Sequence, residues 1–162
     1  MSYPPWLPGP LRSCGRKVCR EHDCKITVDG PPGRFFLVRI DGCLDKIVPE
    51  LADKHRCDCA VVCEDTVCLI EIKCGEVRAG FEREVKPQLD ETEAFLKESF
   101  LPNRVYKRLV CIKRYGSPTI KQALLTSALK KRIKVDDILT TSRRTFSFRA
   151  SGFAILVKFT IE

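Results

Sequence analysis

Long apolar runs are missing from this chain. None approaches the roughly 20 residues that a membrane-crossing helix requires, and the opening MSYPPWLPGPLRSCGRK lacks the apolar segment of a signal peptide. A cytoplasmic protein with no membrane partner is therefore expected. Histidine is scarce as well, with only His22 and His55, and no two cysteines stand in a C-x-x-C pair. Both absences weigh against a structural zinc site, and a catalytic cysteine would have no convincing histidine partner. There is no internal repeat.

Cysteine and positive charge are plentiful. The ten cysteines conflict with a cytoplasmic setting, where thiols are normally kept reduced; the cytosol of hyperthermophiles, archaea among them, is the known exception. Roughly three to five disulfides, or buried free thiols, are both open. The 162 residues suit one domain, 1–162, with its own core. With 44% hydrophobic and 31% charged residues the mixture is globular. A formal charge of +8, from 29 Lys and Arg against 21 Asp and Glu, favours an anionic partner such as nucleic acid. Lys130-Lys-Arg-Ile-Lys134 and Arg143-Arg144 are the basic clusters that would meet its backbone.

Residues 1–13 carry four of the ten prolines and read as an extended arm. Residues 24–29 and 34–41 read as two strands with a tight connection at Gly30-Pro-Pro-Gly33. A short helix or two turns fit 44–55, where Pro49 rules out a long helix. Val77, Phe81, Val85, Leu89, Thr92 and Leu96 recur at helical spacing over 76–100, with Pro87 expected to kink or restart the helix. A strand follows at 104–113, a helix at 119–132, and a C-terminal hairpin that turns at Ala150-Ser-Gly152. Strand, helix and strand in succession imply an α/β fold.

Chemistry concentrates in CDCAVVCEDTVCLIEIKC, residues 57–74. Folded as a hairpin around 64–67, it pairs 63 with 68 and 57 with 74, so Asp58 faces Lys73 with Glu71 on the diagonal. Alternation then puts Asp58, Ala60, Val62, Leu69, Glu71 and Lys73 on one face. Cys57, Cys59, Val61, Cys63, Cys68, Ile70, Ile72 and Cys74 share the other. The cysteines read as small core residues, with 57/74 and 63/68 as candidate disulfides. Two neighbouring carboxylates repel, which raises a pKa or recruits a divalent ion such as Mg²⁺ or Mn²⁺. A lysine beside that ion could hold a water or a phosphate oxygen, and its pKa falls if the site is dry and cationic.

Acidic-x-Lys also occurs at Asp23-Cys-Lys25 and Glu84-Val-Lys86, but only Glu71-Ile-Lys73 lies in an apolar strand with a second acid phased on its partner and a helix downstream. The order of Asp58, Glu71-Ile-Lys73, a helix over 76–100 and a strand over 104–113 resembles the PD-(D/E)xK nuclease superfamily, over residues 35–115. The resemblance implies a restriction endonuclease-like mixed central β-sheet flanked by helices. It also implies a metal-dependent endonuclease acting on nucleic acid, DNA first, with a homodimer as the analogous assembly. Asp58 and Glu71 would hold Mg²⁺ or Mn²⁺, Asp41 or Glu50 would add a third carboxylate, and Lys73 and Gln88 would complete the catalytic set. Thr92 stands where many members have tyrosine, and Cys57 replaces the proline before the Asp. The rival readings are a nucleic-acid-binding or scaffold protein of the same fold that does not cleave, and a cysteine-organised zinc module.

Overall fold

The computed structural model describes residues 3–118 and 127–162. Among them are five helices, α1 Gly9–Ser13, α2 Asp45–Ile47, α3 Pro49–Ala52, α4 Glu82–Ser99 and α5 Ser127–Ile133. The strands are β1 Gly15–Arg16, β2 Cys19–Glu21, β3 Cys24–Asp29, β4 Phe36–Arg39, β5 Cys59–Val62, β6 Thr66–Val77, β7 Val105–Tyr115, β8 Asp137–Leu139, β9 Thr145–Ala150 and β10 Phe153–Ile161. They form a six-stranded sheet in the order β1-β4-β5-β6-β7-β8 and a four-stranded sheet in the order β2-β3-β10-β9.

The large sheet is mixed. Strands β4, β5 and β6 run antiparallel, then β6, β7 and β8 are parallel. Helix α4 supplies the crossover that a parallel β6–β7 pair demands. All four residues of β5 and the first seven of β6 are buried, as a strand covered on both faces requires. Val38, Ala60, Val62, Val67, Leu69, Val110 and Ile112 point into a core shared with the helices, through Leu11, Leu51, Val85, Leu89 and Leu96. Their neighbours Leu37, Cys59, Val61, Cys68, Ile70, Leu109 and Cys111 meet Ile26, Phe148, Ile155, Val157 and Phe159 of the small sheet. The layers are helix, sheet, sheet. The expected α/β mixed sheet is present, but among the described residues helices flank one face only, and the second face is covered by a second sheet.

That second sheet explains other departures. Strands β3 and β4 do not pair with each other; β3 pairs with β10 and β2, while β4 pairs with β5 and β1, so 30–35 is a passage between sheets. The arm is extended only at its start: Trp6 and Tyr3 pack on Phe36, and α1 buries Leu11 beside Leu7. Residues 76 and 77 stay in β6, paired with Arg114 and Tyr115 past a bulge after Lys73, so the helix begins at Glu82 rather than 76. Pro87 lies inside α4 without ending it. Two short helices within 44–55 and the hairpin at Ser151-Gly152, both residues at positive φ (51° and 82°), follow expectation. The helix expected over 119–132 is described only from Ser127; the rest lies outside the described residues. No helix among the described residues is long and apolar enough to cross a membrane.

Candidate active site

The hairpin between β5 and β6 is tighter than the sequence implied. Cys63 N–H donates to Thr66 O at 2.9 Å, leaving Glu64-Asp65 as the turn, and Cys59 pairs with Ile70 and Val61 with Cys68. This register is two residues from the expected one. A shift of two preserves which face each side chain takes, so the acids and most cysteines still part company. It changes who stands opposite whom: one step beyond Cys59–Ile70, Asp58 faces Glu71 rather than Lys73. Cys57 lies outside β5 and packs in the helix-side core. It and Cys74 are both free, as are Cys63 and Cys68, so neither candidate disulfide forms. The disulfide that does form, Cys14–Cys43, ties the end of α1 to the turn before α2.

Asp58 is held from three directions. Its N–H donates to Ile70 O at 3.2 Å, its carbonyl accepts from Ile40 N–H at 2.9 Å, and its Oδ2 accepts from Ile72 N–H at 2.6 Å. Gly42, at φ 94°, lets the chain turn away just after Ile40 makes that bond. From α4, Thr92 Oγ1 accepts from Cys57 N–H at 3.0 Å and donates to Gln88 O at 2.7 Å. Thr92 thus anchors the backbone that leads into Asp58.

Asp58 and Glu71 are 7% and 3% exposed, and each bears on the other's charge. Two buried carboxylates so placed repel when both are ionised, so the pair favours a retained proton or a cation. Burial, reinforced by the charge of Glu71, pushes Asp58 up to about 10, and burial raises Glu71 too. Glu71 Oε2 pairs with Lys73 at 3.1 Å, but Glu71 Oε1 is buried with no partner among the described residues. An oxygen left in that state lacks the donor or cation that would offset its desolvation. Gln88 Oε1 is likewise buried without a partner among the described residues. Gln88 stands one helical turn from both Glu84, which bonds Lys73, and Thr92, which bonds Cys57, and so faces the strand ends that carry the acids.

Lys73 Nζ also reaches Glu84 Oε1 at 2.8 Å. Burial alone would lower its pKa, but Glu71 and Glu84 outweigh that and the net shift is upward. The expectation of a lowered lysine assumed a cationic site, and this one is anionic. Arg39 bonds Glu21 and Arg20 O and stands 3.9 Å from Asp58 Oδ1. Beside the cluster opens a cavity of about 480 Å³ lined in part by Glu21, His22, Lys73, Cys74, Arg78 and Glu84.

The structure thus gathers Asp58, Glu71 and Lys73 and places Gln88 on the face of α4 that carries Glu84 and Thr92. Asp41 does not join: its carboxylate pairs with Arg56 at 2.9 Å. Glu50 is exposed on α3. Sequence reasoning missed Glu84, Glu21 and Arg39. Glu84 carried a signal, since it lies four residues before Gln88 and hence on the same helix face. Glu21 and Arg39 carried none, because only the packing of the second sheet brings them in. Among the basic clusters, Lys130 and Arg143 are both held by Asp137, at 3.1 and 3.0 Å, while Lys131, Arg132 and Arg144 are exposed.

No family model, no curated protein and no solved structure matches the chain. Two buried carboxylates, one of them with an unpartnered oxygen, and an amide oxygen are hard ligands, of the kind that suits Mg²⁺ or Mn²⁺ better than a thiophilic ion.

Proposed function

We propose that the protein is a metal-dependent phosphodiesterase that cleaves nucleic acid, DNA first, at the site formed by Asp58, Glu71 and Lys73. The observation that carries this reading is the buried Asp58–Glu71 pair with its unpartnered Oε1, next to a lysine and an open cavity. The order of elements supports it too: acid, acidic-x-Lys strand, helix α4 and parallel strand β7 come in the sequence of the PD-(D/E)xK core, although the second sheet has no place in that expectation.

Asp58 and Glu71 would supply the metal's carboxylate oxygens, and Gln88 Oε1 an amide oxygen from α4. Mg²⁺ or Mn²⁺, once bound, polarises a phosphate oxygen and acidifies a water. Asp58 is positioned for that role by backbone bonds rather than by a flexible partner. Ionising the pair would release the proton that burial retains on Asp58, so binding would strengthen as pH rises. Lys73 Nζ would hold the scissile phosphate oxygen or the attacking water. To do so it must part from Glu84, whose side chain is 66% exposed and free to rotate into solvent. The formal charge of +8 and exposed Lys131, Arg132 and Arg144 would attract the polyanion.

The test incubates single-stranded, duplex and branched DNA and RNA with the protein and Mg²⁺ or Mn²⁺, beside Glu71→Ala and Lys73→Ala. Cleavage by the wild type that both variants lose supports the site. Cleavage retained by both overturns it, and nucleic-acid binding without cleavage by any form, with no Mn²⁺ bound, favours a non-catalytic binding protein of this fold.

A further inference from the structure

One strand further into the sandwich, a second group of ligands converges that the proposed cleavage does not use. Asp23 and Cys24 stand where β2 turns into β3 of the small sheet, and Cys74 stands on β6 of the large one. One carboxylate oxygen and the two sulfurs lie within 4.8 Å of one another. A tetrahedral ion with metal–sulfur bonds of about 2.3 Å spaces its ligands roughly 3.5–4 Å apart, so small side-chain rotations would close the triangle around an ion.

We infer that Asp23, Cys24 and Cys74 form a site for a thiophilic divalent ion, zinc first, whose fourth position opens on the cavity beside Lys73. Cys24 is fully buried, whereas Cys74 is half-buried and lines that cavity with His22. Three protein ligands with an open position make a site that can take a water or an exogenous group. The charges close: two thiolates and a carboxylate carry three negative charges, the ion two positive, and Lys113, bonded to Asp23 Oδ2, one more. Lys113 also orients the carboxylate, leaving Oδ1 toward Cys74 Sγ at 2.9 Å, the role of an outer partner that fixes a metal ligand. Binding sends the two thiol protons to solvent and joins the two sheets at the rim of the cavity.

The site is separate from the Asp58–Glu71 pair, and its test is too. Reduced full-length protein is titrated with Co²⁺ alone, then with Zn²⁺. One equivalent of Co²⁺ should give an intense near-ultraviolet sulfur-to-metal band, and Zn²⁺ should abolish it. Cys74→Ser should lose the band and Asp23→Asn should weaken binding at least tenfold, each with a circular dichroism spectrum like the wild type. Glu71→Gln should keep it, whatever happens to cleavage. Zn²⁺ should also raise the melting temperature of the wild type and leave that of Cys74→Ser unchanged. The inference is overturned if the reduced protein gives no such band, if Cys74→Ser and Asp23→Asn both retain it, or if mass spectrometry finds Cys24 and Cys74 joined as a disulfide in zinc-supplemented protein purified without air.

Discussion

The two faces of the central sheet are built from alternate residues of the same strands and do opposite work. On β6, Leu69 and Glu71 look toward the helices, while Cys68, Ile70 and Ile72 look toward the second sheet. The helix side gathers buried oxygens near its edge, where α4 can bring Gln88 and Glu84 over them. The sheet side gathers sulfur: Cys59, Cys63, Cys68 and Cys111 fill the space between sheets as small, soft core residues. Oxidation divides the same way. The disulfide Cys14–Cys43 lies on the helix side, and the inter-sheet sulfurs are all thiols. Strand alternation, a geometric property with no chemistry of its own, lets one twelve-residue strand serve both layers.

The sharpest way to break this comparison is to disarm the oxygen side alone. Glu71→Gln should lower metal-dependent cleavage by at least about 10³-fold, about 4 kcal/mol in the barrier, measured with Mn²⁺ on the best substrate found, while leaving the inter-sheet core intact. Next in size is the disulfide. Cys43→Ser opens a loop closed across 29 residues, a change of about 3.5 kcal/mol on the chain-entropy account, read as a lower urea midpoint. Thiol counting in denaturant without reductant should find eight free groups in the wild type.

Leu69→Ala and Ile70→Ala compare the two cores directly, since the neighbours are both fully buried and point opposite ways. Each should cost about 3 kcal/mol in urea unfolding. A much smaller loss for Ile70→Ala would mean that the second sheet packs loosely on the first.

Another effect depends on pH. The folded pKa of Asp58, about 10, lies above its ordinary 3.8, so between those values the folded protein holds the extra proton and loses stability as pH rises. Asp58→Asn keeps an acceptor for Ile72 N–H and removes that dependence. In EDTA the variant should melt above the wild type by a margin that widens from about pH 5 to about pH 8, at roughly 2–4 °C for each kcal/mol. The smallest change expected is at the surface: Lys97→Ala, which breaks an exposed helical pair with Glu93 at 3.1 Å, should shift stability by about 0.5 kcal/mol or less.

Much of the site was legible because it is local. Glu71-Ile-Lys73 in an apolar strand, with Asp58 at matching phase on its partner, needs only the pleat. Gln88 came only from the family resemblance, and Glu84, one helical turn before it, was missed. The register was not legible, because Glu64-Asp65 alone and a four-residue turn at 64–67 both leave the hydrophobic pattern intact. Closure by Cys63 and Thr66 decides it, and Ser151 N–H, donating to Asp65 from the other sheet, holds that tip. The start of α4 was misread because Val77 suits a helix by spacing and a strand by type. Pairing with Tyr115 decides for the strand.

The sequence by itself determined the α/β alternation, the C-terminal hairpin and the parting of acids from most of the cysteines, since each follows from periods of 2 and 3.6 within a few residues. Only the tertiary structure decided that Asp58 meets Glu71, that Asp41 turns to Arg56, that a second sheet replaces the helices on the cysteine face, and that Asp23 and Cys24 come to Cys74. Those contacts join residues that can lie far apart in the chain. They depend on how whole layers pack, and no local pattern encodes that.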